Sequence, residues 1–224
     1  MIPLRVDTSI RPRILSVFLI LLLVSIQGLQ SSDWLQGYLS IEKFGLVPIR
    51  WWSTSSWELL GAERQLLSLF TYAYLHDDWP HCLVNVWWLF VFGPVVHARF
   101  GALALVMIYT VSGLAGGAAY LSYAPESISP LIGASANISG LLGAYLVGSR
   151  HQGVFLLGLE TPLKGGLFVC LFLLVQIILS VIYGPETVGV AFGSHVVGCV
   201  VGVFVSLSYT RHENDPEHMI ARGS

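Results

Sequence analysis

Six apolar runs constrain this chain more than any other feature: Ile14 to Leu29, Leu83 to Ala98, Leu103 to Leu121, Ser135 to Val147, Gly166 to Tyr183 and Val188 to Tyr209. Several approach the roughly 20 residues that cross a bilayer as a helix. The scarcity of charge decides between a membrane and a soluble core. Only 11% of the 224 residues are charged, against about a quarter in soluble domains, and the mean hydropathy is +0.72. Lipid is the expected solvent, and the predicted class is an all-α polytopic membrane protein. The first run follows Arg11 and Arg13, but no small-x-small cleavage site comes after it, so it reads as a retained helix. A net charge of -2 argues against a nucleic-acid partner. The cysteines, Cys82, Cys170 and Cys199, lie in or beside apolar runs with no ligand pattern and read as buried thiols.

The predicted organisation is a short segment 1–13, a membrane domain 14–209 and a polar tail 210–224. The long stretch 30–80 holds Trp34, Trp51, Trp52, Trp57 and Trp79, a ring density suited to a loop lying in the membrane interface. Six spans place both termini and the second and fourth loops on one side. That side carries Arg5, Arg11, Arg13, Arg99, Arg150, Lys164, Arg211 and Arg222, and the other only Lys43, Arg50 and Arg64. The positive-inside rule then makes both termini cytoplasmic.

Two polar groups stand out inside the apolar runs. The fourth run starts at Ser135 and reaches only about 20 Å as a helix, short of the roughly 30 Å of hydrocarbon. Ser135 is thus expected below the outer surface, at a buried helix start. Small residues recur every fourth position behind it: Ser135, Ser139 and Gly143, then Ala136, Gly140, Ala144 and Gly148. Such stripes let helices approach closely, and Ser135 can be read as one more packing residue. His195 lies in the middle of the sixth run, where an ionisable group marks a functional site by default. Gly198 and Gly202 share its face, so that face can press against the fourth helix. A serine beside a histidine base is the minimum set for nucleophilic acyl transfer. The plainer alternative is a core histidine bonded to a backbone carbonyl.

None of the thirteen Asp and Glu residues falls inside the six runs. That disfavours an aspartyl protease or a carboxylate-driven transporter, and it leaves a Ser-His pair working as a dyad, without an acid. No metal-ligand spacing is present. His81 and Asn85, four residues apart, share a helical face at the outer end of the second run. Both can donate hydrogen bonds as an oxyanion hole requires, or they can be simple capping residues.

These stretches together resemble the rhomboid family of intramembrane serine proteases. "TYAYLHDDWPHCLVNVWWLFVFG" looks like that family's histidine-x-x-x-asparagine second helix, "GASANISGLLGAY" like its serine-bearing fourth and "VAFGSHVVGCVVG" like its histidine-bearing sixth. The opening "MIPLR" is similar to many bacterial members, which suggests a bacterial inner membrane. The resemblance implies a six-helix bundle with Ser135 as nucleophile and His195 as general base. It also implies His81, Asn85 and the Ser135 backbone N–H as oxyanion donors, and no cofactor. The implied partners are the lipid bilayer and transmembrane proteins with helix-weak segments; the alternative is an inactive rhomboid-like scaffold that binds such helices. Three departures stand against the family pattern. Ala136 follows the serine where the family has glycine, Ser139 takes a position aromatic in some members, and Leu67-Ser68 replaces a first-loop Trp-Arg pair.

Overall fold

The apolar runs all fold as helices, and where each stops follows from its flanking residues. The computed structural model describes residues 4–6, 14–32, 41–156, 161–184 and 191–213. The first long helix, α1, covers Ile14–Gln30. The stretch expected to lie in the interface is folded into short helices: α2 (Ile41–Phe44), α3 (Pro48–Trp51), α4 (Thr54–Leu60), α5 (Ala62–Thr71) and a 3-10 turn at Tyr72–Tyr74. Trp34, most of segment 1–13 and most of the tail 210–224 lie outside the described residues.

Asp78 caps the next helix, α6 (Trp79–Phe100), by accepting from the His81 backbone N–H, with Pro80 in the first turn. Gly101, at φ 88, ends α6 and starts α7 (Ala102–Tyr123). After a non-helical stretch come α8 (Ser135–Ser149), α9 (Gly165–Tyr183) and α10 (Phe192–Glu213). Among the described residues, four helices are long and apolar enough to cross a membrane: α6, α7, α9 and the Phe192–Tyr209 part of α10. The shorter α1 has 17 residues and α8 has 15, so the expected count of six full spans is not reached on length alone. The reason at α8 is local: residues 131–134 stay non-helical, and the helix starts late.

Helix α8 is the centre of the molecule. Every residue from Ala136 to Tyr145 is buried, as expected of a helix enclosed on all sides, with α6, α7, α9 and α10 around it. The small residues make that possible. A Cβ on Gly198 or Gly202 of α10 would run into the carbonyls of Ala136 and Gly140 respectively, so these two backbones touch. Helix α9 is the opposite case, burying only Gly165, Phe168 and Val169. Its outer face carries Cys170, which is exposed. That corrects the expectation of three buried thiols: an apolar run facing lipid does not hide its cysteine inside protein. Cys82 and Cys199 are buried.

A small sheet, not foreseen from the sequence, sits at the end of α8 away from Ser135. Strand β1 (Leu4–Val6) pairs antiparallel with β2 (Gly153–Leu156), which pairs with β3 (Leu163–Lys164). It joins the chain before α1 to the connection between α8 and α9.

Candidate active site

The approach to α8 is held by the first loop. Leu131 and Leu46 exchange backbone hydrogen bonds of 2.8 and 3.1 Å, and the Gly133 N–H donates to the Tyr72 carbonyl at 2.9 Å. The Tyr72 hydroxyl in turn donates to the Gly113 carbonyl on α7 at 2.6 Å. The loop therefore braces the start of α8. Gly133 has φ 98, a left-handed conformation that a side chain disfavours. It has a second constraint, because a Cβ there would stand 2.7 Å from Nε2 of His81.

Ser135 is the first residue of α8, and its Oγ lies 2.7 Å from Nε2 of His195 on α10. The other ring nitrogen, Nδ1, lies 2.8 Å from Oε1 of Gln176 on α9. An amide oxygen only accepts, so Nδ1 carries the proton and Nε2 turns a lone pair to the serine hydroxyl. Phe192, three residues before the histidine, packs edge-on to the imidazole with centroids 6.3 Å apart. It supplies ring contact that Ser139 does not; the Ser139 hydroxyl instead donates to the Ser135 carbonyl at 2.8 Å.

Ala136 is helical, and among the described residues no non-glycine has positive φ. The family glycine is thus replaced at a position where alanine is the better helix former. Its methyl faces Gly116 of α7, where an added Cβ would come within 2.6 Å of it. The first closing bond of α8 runs from Ile138 N–H to the Ala134 carbonyl at 3.0 Å. The Ser135 N–H therefore has no acceptor within the helix, as at any helix start.

His81 and Asn85 approach from α6. The His81 ring donates through Nδ1 to Asp77 at 2.7 Å, which leaves Nε2 directed at Gly133. The Asn85 amide donates back to the His81 carbonyl at 3.2 Å and lies 3.6 Å from the Cβ position of Gly133. Both side chains converge on the backbone just ahead of Ser135. Partial burial raises the Asp77 carboxyl, but the hydrogen bond and charge of His81, with nearby backbone N–H groups, outweigh it and hold the group below its ordinary value. His76, just ahead of α6, is 1% exposed, packed edge-on at 5.0 Å from the His81 ring. Neither of its ring nitrogens has a hydrogen-bond partner. Burial, reinforced by the neighbouring His81, pushes it down to about 4.

A cavity of about 220 Å³ opens onto Ser135 and His195. Its walls are apolar where Val84 and Trp88 of α6 face Phe172 of α9, and polar at Asn85 and Gln176. Such a lining suits an apolar side chain next to a peptide group. Gln176 and Phe192 were not singled out from the sequence. The signal for Gln176 was present, since it is the one amide in the apolar run "LFLLVQIIL", and an intramembrane polar residue is costly unless used.

The family model for the Rhomboid domain matches residues 63–212, about two thirds of the chain. The chain belongs to the rhomboid family. Similar rhomboid proteins come from Arabidopsis thaliana. RHOMBOID-like protein 7 is 33% identical over 118 residues, 49% of this chain and 37% of that protein. RHOMBOID-like protein 9, chloroplastic, is 30% identical over 84 residues, 38% of this chain and 19% of that protein. RHOMBOID-like protein 6, mitochondrial, is 28% identical over 107 residues, 48% of this chain and 32% of that protein. The matches thus span between about a fifth and two fifths of these relatives. Rhomboid membership and the apolar helices make this an integral membrane protein. These relatives are plant proteins, two named for organelles, and they lend nothing to the expected bacterial inner membrane.

Proposed function

We propose that this rhomboid protein is an intramembrane serine endopeptidase that cleaves peptide bonds in or beside the transmembrane helices of other proteins. The observation that carries the reading is the 2.7 Å contact between Ser135 Oγ and His195 Nε2, at the floor of a cavity. In the reaction Ser135 Oγ attacks the scissile carbonyl while Nε2 takes its proton. The oxyanion forms beside the open Ser135 N–H, the Asn85 amide and His81. Nδ1 of His81 lies 2.7 Å from Asp77, a contact that holds the ring with Nε2 toward Gly133 and the forming oxyanion. His195 then returns its proton to the leaving amine, and water repeats the sequence on the acyl-enzyme.

A helical peptide bond hides its carbonyl, so a substrate must unwind locally. Segments rich in small or helix-weak residues are the preferred partners, with the bilayer as the medium and no cofactor required. The domain boundaries 14–209 and the cytoplasmic placement of both termini belong to the same proposal. The departures at Ala136 and at Leu67-Ser68 favour a second reading, a non-catalytic scaffold that binds transmembrane helices. Labelling the purified protein with a fluorophosphonate separates the two. Wild type labels and cleaves a reporter transmembrane substrate, while folded Ser135→Ala and His195→Ala variants do neither. Cleavage retained in either variant rules out the dyad, and a folded wild type that never labels leaves the scaffold.

A further inference from the structure

We propose that Gln176 is the positioning residue of the dyad, a neutral amide holding His195 where serine hydrolases commonly use a carboxylate. The proposal rests on the Ser135–His195 reading. Its warrant is the 2.8 Å contact from Gln176 Oε1 to Nδ1 of His195, on the ring edge opposite the 2.7 Å contact to Ser135. Three side chains from three helices thus lie in line.

The surroundings explain why an amide serves. On α9 the neighbours Leu174, Val175, Ile177 and Ile178 are all exposed, facing lipid, while Gln176 turns inward to line the cavity. A carboxylate there would need desolvation of a full charge, which costs several kcal/mol. The amide fixes the ring plane and the tautomer without a buried ion. When Ser135 gives its proton to Nε2, the ring becomes a cation with two N–H donors, and the Nδ1–H bond to Oε1 strengthens as charge develops. Gln176 neither gains nor loses a proton.

The test uses the full chain in detergent, with Gln176→Leu and Gln176→Glu read by fluorophosphonate labelling rate across pH and by thermal melting. Ser135→Ala is the blank. A general base contributes about 10² to 10⁴, so losing its alignment in Gln176→Leu is expected to slow labelling at least about 10-fold with the melting temperature unchanged or raised. Gln176→Glu keeps an acceptor for Nδ1–H and is expected to label within a few-fold of wild type. Wild-type labelling by Gln176→Leu overturns the proposal, as does equal loss in both variants when both are folded. If Gln176→Leu does not fold, a loss of at least about 10-fold in folded Gln176→Glu overturns it. A folded wild type that does not label removes the hydrolase reading itself, and this proposal with it.

Discussion

Moving one methyl group across the contact between α7 and α8 tests whether close backbone packing sets the geometry of the site. In Gly116→Ala the new Cβ would stand 2.6 Å from the Ala136 Cβ and 3.1 Å from the Ser194 carbonyl oxygen. Carbon atoms in contact prefer about 3.5 to 4 Å, so the two helices must part by about 1 Å beside Ser135. Overpacking of this kind costs about 1 to 3 kcal/mol, and a displacement of about 1 Å at reacting groups can cost about 10² in rate. Ala136→Gly instead leaves a gap. It loses about 0.8 kcal/mol for the buried carbon and up to about 1 kcal/mol for glycine in a helix, with labelling still within a few-fold. The double variant puts the methyl on the opposite wall and is expected to recover most of the rate lost by Gly116→Ala. Fluorophosphonate labelling rates and thermal melts of the four proteins form a double-mutant cycle. Near-wild-type labelling by Gly116→Ala, or purely additive losses in the double variant, would refute the packing argument. A rise of orders of magnitude in Ala136→Gly would instead show that the native methyl impairs the site.

His81→Ala and Asn85→Ala are each expected to lower turnover by about 10² to 10³, the usual effect of losing one oxyanion donor, while Ser135 stays the labelled residue; unchanged turnover in both and in the double variant reduces them to caps. His76 is held near 4 against an ordinary 6.5. Its neutral form is the folded form, so stability is full above about pH 6.5 and is lost as pH falls toward about 4, by up to about 3 kcal/mol. Melting curves of wild type and His76→Phe check this, the variant being expected to lose much of that slope. Asn137-Ile138-Ser139 fits a glycosylation acceptor, yet Asn137 is 4% exposed and donates to the Tyr109 carbonyl at 3.0 Å. Expression through a eukaryotic secretory pathway is expected to leave it bare, as read by a mobility shift on glycosidase treatment.

What the sequence made legible was periodic or chemically costly. The apolar runs located the long helices, although α6 starts at Trp79, ahead of its run at Leu83, because Asp78 caps it. Glycines at positions 198 and 202 foretold contact with a small-residue helix, and their backbones meet Ala136 and Gly140. His195 stood out because ionisable groups in lipid are expensive. Gln176 was equally misplaced in an apolar run, but an amide carries no charge and its partner lies nineteen residues away, so no spacing rule exposed it. The sheet depends on pairing between Leu4–Val6 and Gly153–Leu156, strands too short and distant to show a pattern. The first loop read as interfacial because of its tryptophans, whereas its bracing role depends on the backbone groups of Leu46 and Tyr72, which a sequence does not display.

Helix α9 is held most firmly at its start. The Gly165 and Gly166 N–H groups donate to the Gln152 and Arg150 carbonyls at 2.9 Å, and the buried residues Gly165, Phe168 and Val169 all lie in its first turns. Gln176 is about 16 Å farther along at 1.5 Å per residue. Were the helix to tilt by about 5° about Gly165, the amide would swing by about 1.4 Å. That displacement would break the 2.8 Å bond to His195 and widen the cavity on the side lined by Phe172. Because Gln176 and Phe172 ride on the same helix, any tilt of α9 that widened the cavity beside Phe172 would also part the amide from His195.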